Sequence, residues 1–161
     1  MDESAKTLIG QKRKLLVLDL DETLIHTAYA PIVGGRLKGL RGFFYLYERP
    51  HLQHFLDGCS EEHDLAIWSA SKVDYVRWIM RSTVLSEHQF VFVNTRKNCK
   101  RIFKKDGRVE YQKDLTPYLL KYEKVIMLDD NPSMVVPIEC CIKAPDYRGG
   151  VDEFLLNVLL D

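Results

Sequence analysis

Three short runs along the chain are apolar without alternation: Leu15-Leu16-Val17-Leu18, Leu65-Ala66-Ile67-Trp68 and Val125-Ile126-Met127-Leu128. Runs of that length and kind mark strands buried on both faces of a parallel sheet. Between them the periodicity turns helical. Pro50 stands at a first helical position, and His51 to Cys59 carries Leu52, Phe55 and Leu56 on one face. Ser71 precedes Val73, Val76, Ile79 and Met80, with Asp74 three residues on, which predicts a helix capped by the Ser71 hydroxyl. Thr116-Pro117 opens a further helix. The tail from Val151 to Leu160 spaces Val151, Phe154, Leu155, Val158 and Leu159 helically, with Asp152 and Glu153 in the first turn, and predicts a helix docked on the sheet. Phe90-Val91-Phe92-Val93 reads as a strand, and Asp106-Gly107 joins two alternating segments as a hairpin. The expectation is an α/β fold: a Rossmann-like, central, mostly parallel sheet flanked by helices, with right-handed crossovers and a small β insertion over about 90–112.

Composition narrows the class. The 161 residues are 46% hydrophobic, with 23 Lys+Arg against 23 Asp+Glu, which is too apolar for disorder and large enough for one domain, 1–161. No apolar run approaches a bilayer span, so membrane insertion is not expected. Met1-Asp2-Glu3-Ser4 lacks the basic and apolar regions of a secretory signal. Cys59 and Cys99 stand alone while Cys140 and Cys141 are adjacent, which gives neither a metal-type pair nor a disulfide framework. Reduced thiols in a nuclear or cytoplasmic protein follow. Zero formal net charge argues against a general nucleic-acid coat, yet it conceals a local cluster. Arg96, Lys97, Lys100, Arg101, Lys104, Lys105 and Arg108 are offset only by Asp106. They read as an electropositive approach to an acidic, phosphorylated substrate, against the plainer reading of a solvated hairpin. Direct nucleic-acid binding is disfavoured because no aromatic residues interleave the charge.

The chemistry lies where the apolar runs end. Each runs straight into polar residues: Asp19-Leu20-Asp21-Glu22-Thr23, Ser69-Ala70-Ser71, and Asp129-Asp130-Asn131-Pro132. Ligands of open α/β sheets bind at that carboxyl edge. If the strands are neighbours, Asp19, Asp21, Asp129 and Asp130 converge, and each close pair repels by roughly 1–4 kcal/mol. Such a cluster wants a cation, and an all-oxygen donor set favours a hard one, Mg²⁺ first. Mg²⁺ in turn suits a phosphoryl substrate. A carboxylate at Asp19 can attack phosphorus in line. Asp21, two residues on, would share its side of an extended chain and could serve as general acid and base. Ser69 would offer a hydroxyl to the phosphate and Lys113 a fixed positive charge. Taken singly, paired acids after a strand can be a solvated turn, Lys113 an ordinary surface lysine and Thr23 a structural hydroxyl. Ser71 is explained by its cap, and His26, His51 and His54 form no ligand set.

Four segments in order carry a family resemblance: Leu18-Asp19-Leu20-Asp21-Glu22-Thr23-Leu24-Ile25-His26, Ile67-Trp68-Ser69-Ala70-Ser71, Tyr111-Gln112-Lys113-Asp114-Leu115 and Leu128-Asp129-Asp130-Asn131-Pro132. They resemble the four motifs of the haloacid dehalogenase superfamily in the form used by the FCP/SCP phosphatases, which act on the C-terminal domain of RNA polymerase II. The resemblance implies Asp19 as nucleophile and Mg²⁺ ligand, and Asp21 as general acid/base offering its backbone carbonyl to the metal. It implies Asp130 as the remaining ligand, with Asp129 beside the shell orienting Lys113. Ser69 and Lys113 would bind the transferring phosphate. It also implies a flap over about 24–48 containing Gly42 to Tyr47. Many small relatives have Asp-Asn-Ser where this chain has Asp129-Asp130-Asn131, and Thr at Ser69; both swaps keep the oxygen chemistry.

The expected function is a Mg²⁺-dependent serine/threonine phosphatase acting, through an aspartyl-phosphate, on phosphoserine of a polymerase-tail-like or other acidic phosphopeptide. A signalling receiver is disfavoured by motif order, since receivers place the acid pair first. A catalytically weak, phosphopeptide-binding relative is the alternative.

Overall fold

The structure is a computed structural model that describes residues 13–158 and Leu160. In chain order, β1 (Lys14–Leu18) is followed by β2 (Ile25–Ala28), β3 (Leu37–Arg41) and β4 (Phe44–Glu48). Helix α1 (Leu52–Cys59) leads to β5 (His63–Trp68), and α2 (Val73–Ser82) to β6 (Val93–Asn94). Then come β7 (Lys100–Phe103), β8 (Val109–Asp114), β9 (Val125–Asp129), β10 (Val135–Val136), β11 (Cys141–Lys143) and α3 (Phe154–Asn157). The three apolar runs lie side by side in an all-parallel sheet of order β11-β9-β1-β5-β6. An α/β fold with a parallel central sheet is therefore what the chain adopts.

Period-two alternation divides the core between the faces of that sheet. Leu16 and Leu18 of β1 pack with Leu52, Phe55, Leu56, Val76 and Ile79 of α1 and α2. Leu15 and Val17 face the other way, toward Leu115, Val135, Tyr118 and Tyr122. All four β1 residues are fully buried, which makes β1 the rigid centre on which its carboxyl end is mounted. Two smaller sheets flank it. Strands β2, β4 and β3 form an antiparallel sheet, and β7 and β8 form a hairpin whose inner strand also pairs with β10 in parallel. Gly107 supplies the positive φ of 85° at the hairpin tip.

Several elements depart from expectation. Helix α1 begins at Leu52, because Pro50 belongs to a turn and His51 takes a left-handed φ of 68°. Lys72, in extended conformation, precedes α2 with no side-chain cap, so Ser71 is not the cap; its hydroxyl is engaged elsewhere. Thr116-Pro117 opens only a 3-10 turn, Thr116–Tyr118, whose N–H groups reach back three residues. The chain must re-enter the sheet at Val125, and Leu115, Tyr118 and Tyr122 cover the second face without a helix. Phe90–Val93 lies on the main sheet: Val91 N–H bonds Leu65 O at 2.8 Å and Ile67 N–H bonds Phe92 O at 3.1 Å. The antiparallel insertion is thus β7–β8 alone. The tail is helical only over Phe154–Asn157, with Val151 90% exposed. Leu159 and the Met1–Ser4 segment lie outside the described residues. All four cysteines are free, and among the described residues no helix is long and apolar enough to cross a membrane.

The tail is fastened by a charge rather than by a long helix. Arg49 is fully buried, and its guanidinium donates to both oxygens of Asp152 (2.9 and 2.8 Å) and to the Thr23 carbonyl (2.9 Å). It lies 5.5 Å from the Tyr147 ring centroid and 4.6 Å from that of Phe154. Arg49→Ala leaves Thr23 O unpaired and should destabilise the fold by about 3 kcal/mol. Arg49→Lys should recover little of it, since an ammonium cannot reproduce the fork. Urea unfolding of both variants measures this; full recovery by lysine would show that only the charge matters.

Candidate active site

The carboxyl edge of the parallel sheet is organised by the loop after β1. Asp19 extends the strand by one residue, its N–H donating to Leu128 O at 3.0 Å. Leu20 is buried, and its carbonyl accepts from Thr23, Leu24 and Ile25, closing a tight knot that turns at Glu22. Glu22 has a φ of 62°, costly by about 1–3 kcal/mol for a residue with a Cβ, and Tyr147 N–H holds its carbonyl at 2.7 Å. The knot brings Thr23 back beside Asp19. Thr23 Oγ1 lies 2.9 Å from Asp19 Oδ2 and 3.2 Å from Asp130 Oδ1, and it accepts the Asp130 N–H at 3.1 Å. One hydroxyl thereby ties the ends of β1 and β9 together.

Lys113 enters from β8, on the second face. Its Nζ donates to Asp19 Oδ1 at 2.8 Å and to Asp129 Oδ2 at 2.7 Å, and the residue is only 4% exposed. Burial alone would lower its pKa, but Asp19 and Asp129 outweigh burial and hold it above the usual lysine value. Carboxylate oxygens of Asp19, Asp129 and Asp130 all lie within 4.8 Å of one another. Burial, then the neighbouring Asp19 charge, pushes the Asp129 carboxyl up and the Asp130 carboxyl up to about 7.

Asp21 is held apart from that trio. Its Oδ1 accepts from Tyr75 OH at 2.5 Å and its Oδ2 from Ser71 Oγ at 3.0 Å. Tyr75 OH lies in turn 2.8 Å from Thr27 Oγ1 on β2. Burial raises the Asp21 pKa, with Tyr75 opposing and Asp19 adding to it. Ser69 is buried, and its Oγ accepts the Ser71 N–H at 3.1 Å, so Ala70 and Ser71 form the adjoining cavity wall. The cavity has a volume of about 380 Å³ and exposes Asp19, Asp21, Asp129, Asp130 and Lys113 together with Glu22, Arg96, Glu110 and Tyr111.

The structure thus gathers Asp19, Asp129, Asp130, Lys113 and Thr23, sets Asp21 beside them, and keeps Ser69 beneath the wall. Sequence reasoning missed Tyr75 and reduced Ser71 to a cap. The available signal was their place directly after the carboxyl end of β5, with Ser71 just before α2 and Tyr75 in its first turn. His26 pairs with Glu22 at 2.6 Å and stands apart from the acid trio.

The model of the family described as NLI interacting factor-like phosphatase matches residues 14–160. The chain belongs to this phosphatase family. That agrees with the FCP/SCP-type resemblance of the four motifs. Nuclear envelope morphology protein 1 of Schizosaccharomyces pombe is 30% identical over 178 residues, covering 98% of this chain and 35% of the relative. The Homo sapiens CTD small phosphatase-like protein is 27% identical over 144 residues, covering 81% of this chain and 47% of the relative. The chain thus spans about a third to a half of these curated relatives. A solved structure described as that of Fcp1, an essential RNA polymerase II CTD phosphatase, aligns with a TM-score of 0.62 at 23% identity, covering 91% of this chain and 45% of that one. This last likeness speaks for the fold.

The acid cluster makes stability depend on pH in an unusual direction. Burial and the Asp19 charge push the Asp130 carboxyl up to about 7, well above an ordinary carboxylate, so between the ordinary range and 7 the folded state holds more protons than the unfolded one. Stability without a cation therefore falls as pH rises through that window. In EDTA the melting temperature should drop from about pH 5 to about pH 8, and Asp130→Asn should flatten the slope. An unchanged slope in the variant would refute this account.

Proposed function

We propose that this chain is a Mg²⁺-dependent phosphoprotein phosphatase working through an aspartyl-phosphate on Asp19. One observation carries the reading: Asp19 is fixed by Lys113 on one oxygen and Thr23 on the other, beside two further acids and a separately held fourth.

The donor set fits a hard cation. Three carboxylate oxygens within 4.8 Å of one another, with Asp130 pushed up to about 7, leave negative charge that Lys113 alone does not balance. Asp19, Asp130 and the Asp21 backbone carbonyl would hold Mg²⁺, with Asp129 and Thr23 supporting them. Bound there, Mg²⁺ would withdraw charge from phosphoryl oxygens and relieve the repulsion of an anionic substrate.

In the first step an Asp19 oxygen attacks phosphorus as the bond to the seryl oxygen breaks, and Asp21 gives that oxygen its proton. The raised pKa of Asp21 suits a group that must start protonated. In the second step Asp21 takes a proton from water, the oxygen of which attacks phosphorus, and Asp19 departs as carboxylate. Lys113 spends two of its three N–H donors on Asp19 and Asp129, leaving the third for the phosphate. Ser69 supplies a hydroxyl whose proton no bond among the described residues uses.

The β2-β4-β3 sheet and the β7–β8 hairpin flank the central sheet, and the cavity of about 380 Å³ at its carboxyl edge would take a phosphorylated side chain. Phosphoserine in an acidic segment, such as an RNA polymerase II tail repeat, is the substrate class we favour, and the names of the relatives support it. The name of the Schizosaccharomyces pombe relative supports a nuclear or nuclear-envelope place of action.

Phosphate release from a phosphoserine peptide panel tests this. Turnover should need Mg²⁺, stop with EDTA and vanish in Asp19→Asn. Asp21→Asn should lose about 10²- to 10⁴-fold on seryl phosphate. It should lose less on an aryl phosphate, which leaves without a proton. Turnover by folded Asp19→Asn at the wild-type rate would sink the mechanism.

A further inference from the structure

The basic cluster of the hairpin region divides in three dimensions. At the tip, Lys104 pairs with Glu110 at 3.1 Å and Arg108 with Asp106 at 2.6 Å. At the base, Lys97 and Arg101 join Lys72, which precedes α2, around a groove of about 540 Å³, and none of the three has an ion pair among the described residues. The one acid of that groove, Asp74, approaches Arg77 at 3.9 Å.

This groove adjoins the catalytic cavity. Arg96 and Tyr111 line both, the guanidinium lying 4.6 Å over the Tyr111 ring while its Nε donates to Ala70 O at 2.8 Å. Arg96 is therefore a fixed partition. On one side is a cavity dominated by carboxylates, on the other a groove with Lys72, Lys97 and Arg101 uncompensated. A peptide whose phosphoserine occupies the first would carry its neighbouring residues across the second, since successive residues span only about 3.3–3.6 Å each.

We infer that the groove of Lys72, Lys97 and Arg101 is a second anion subsite, taking a carboxylate or phosphate side chain within a few residues of the phosphoserine in the catalytic cavity. This rests on the phosphopeptide reading above and adds to it a preference for an acidic flank built into the protein. The contacts are solvated, so their contribution is Coulombic, screened by salt, and felt in affinity rather than in the chemical step. The tip, where Lys104 and Arg108 are paired with acids, has no part in it.

Fluorescein-labelled peptides with one phosphoserine, flanked by Glu or by Gln on both sides, are titrated against the folded Asp19→Asn protein, which reads binding without turnover. At low ionic strength the Glu-flanked peptide should bind about tenfold tighter, and high salt should erase most of the difference. Lys97→Glu with Arg101→Glu should abolish the preference, and the milder Lys97→Gln with Arg101→Gln should reduce it. The tip pair Lys105→Glu with Arg108→Glu should retain it. Equal affinity for the two peptides overturns the subsite, as does a preference that survives the groove substitutions or is lost equally with the tip pair. Displacement of both peptides alike by RNA or by anionic vesicles would also overturn it, in favour of those surfaces. Phosphate release by the wild-type protein from the Gln-flanked peptide is read in parallel. Its absence counts against the phosphatase reading alone, while loss of the Glu preference counts against the subsite alone.

Discussion

The ammonium of Lys113, buried between Asp19 and Asp129, is the interaction on which the carboxyl edge depends. Two acids at the ends of adjacent buried strands would otherwise repel inside a region too dry to screen them. Much of the second face exists to deliver that charge. Strand β8 runs into the molecule from the hairpin and is clamped on one side by β7 and on the other by β10, whose Val135 sits in register with Lys113. Leu115, just past Lys113, is fully buried against Leu15 and Val17, so the lysine cannot withdraw without opening the core. The balance is still incomplete: one cation faces three carboxylates, and that excess adds to burial in raising the Asp130 pKa.

The opposite face positions the remaining acid. Helix α2 begins as the chain leaves β5, and its first turn places Tyr75, with Ser71 just before it, on the Asp21 carboxylate. Tyr75 also touches Thr27, so the β2–β4 sheet and the Asp21 side chain share one hydrogen-bonded chain. Farther back, the buried Arg49 binds the Thr23 carbonyl and Asp152 together. The loop that presents Asp19 and Asp21 is thereby braced by the tail, whose four-residue helix is held by this ion pair together with Leu155, Phe154 and Val158 packed on the core.

What was legible in the sequence follows from how many residues each feature requires. The three central strands were readable because burial on both faces leaves an unbroken apolar run, and their polar ends were readable because those residues follow directly. Lys113 could be named from its motif, but not its place on a strand, since Tyr111-Gln112-Lys113 has no apolar run to mark one. The Thr116 helix failed for a length reason: its apolar spacing is real, yet the chain must reach Val125 too soon for helical rise to be useful. Ser71 was misjudged because a cap and a ligand of a distant carboxylate look alike in one dimension. The basic cluster misled differently. Its residues are contiguous in sequence, but the pairing of Lys104 with Glu110 and Arg108 with Asp106 removes two of its seven cations from the electrostatic account.

The division of the four carboxylates is itself informative about the chemistry. Asp19 shares the Lys113 ammonium with Asp129 and the Thr23 hydroxyl with Asp130, and the three carboxylates, all within 4.8 Å of one another, behave as a coupled set. Asp21 has its own donors, one on each oxygen, and its pKa is raised chiefly by burial. A hydrolysis in two steps asks for such a separation. One carboxylate must stay ionised to attack, while another must be protonated at the start and ionised afterwards. Were all four acids equivalent, a bound cation would depress them together and leave no proton to give. Tyr75 and Ser71 fix the Asp21 carboxyl apart from the other three while burial raises its pKa against their hydrogen bonds, and this positioning is why the missed tyrosine matters to the proposed mechanism.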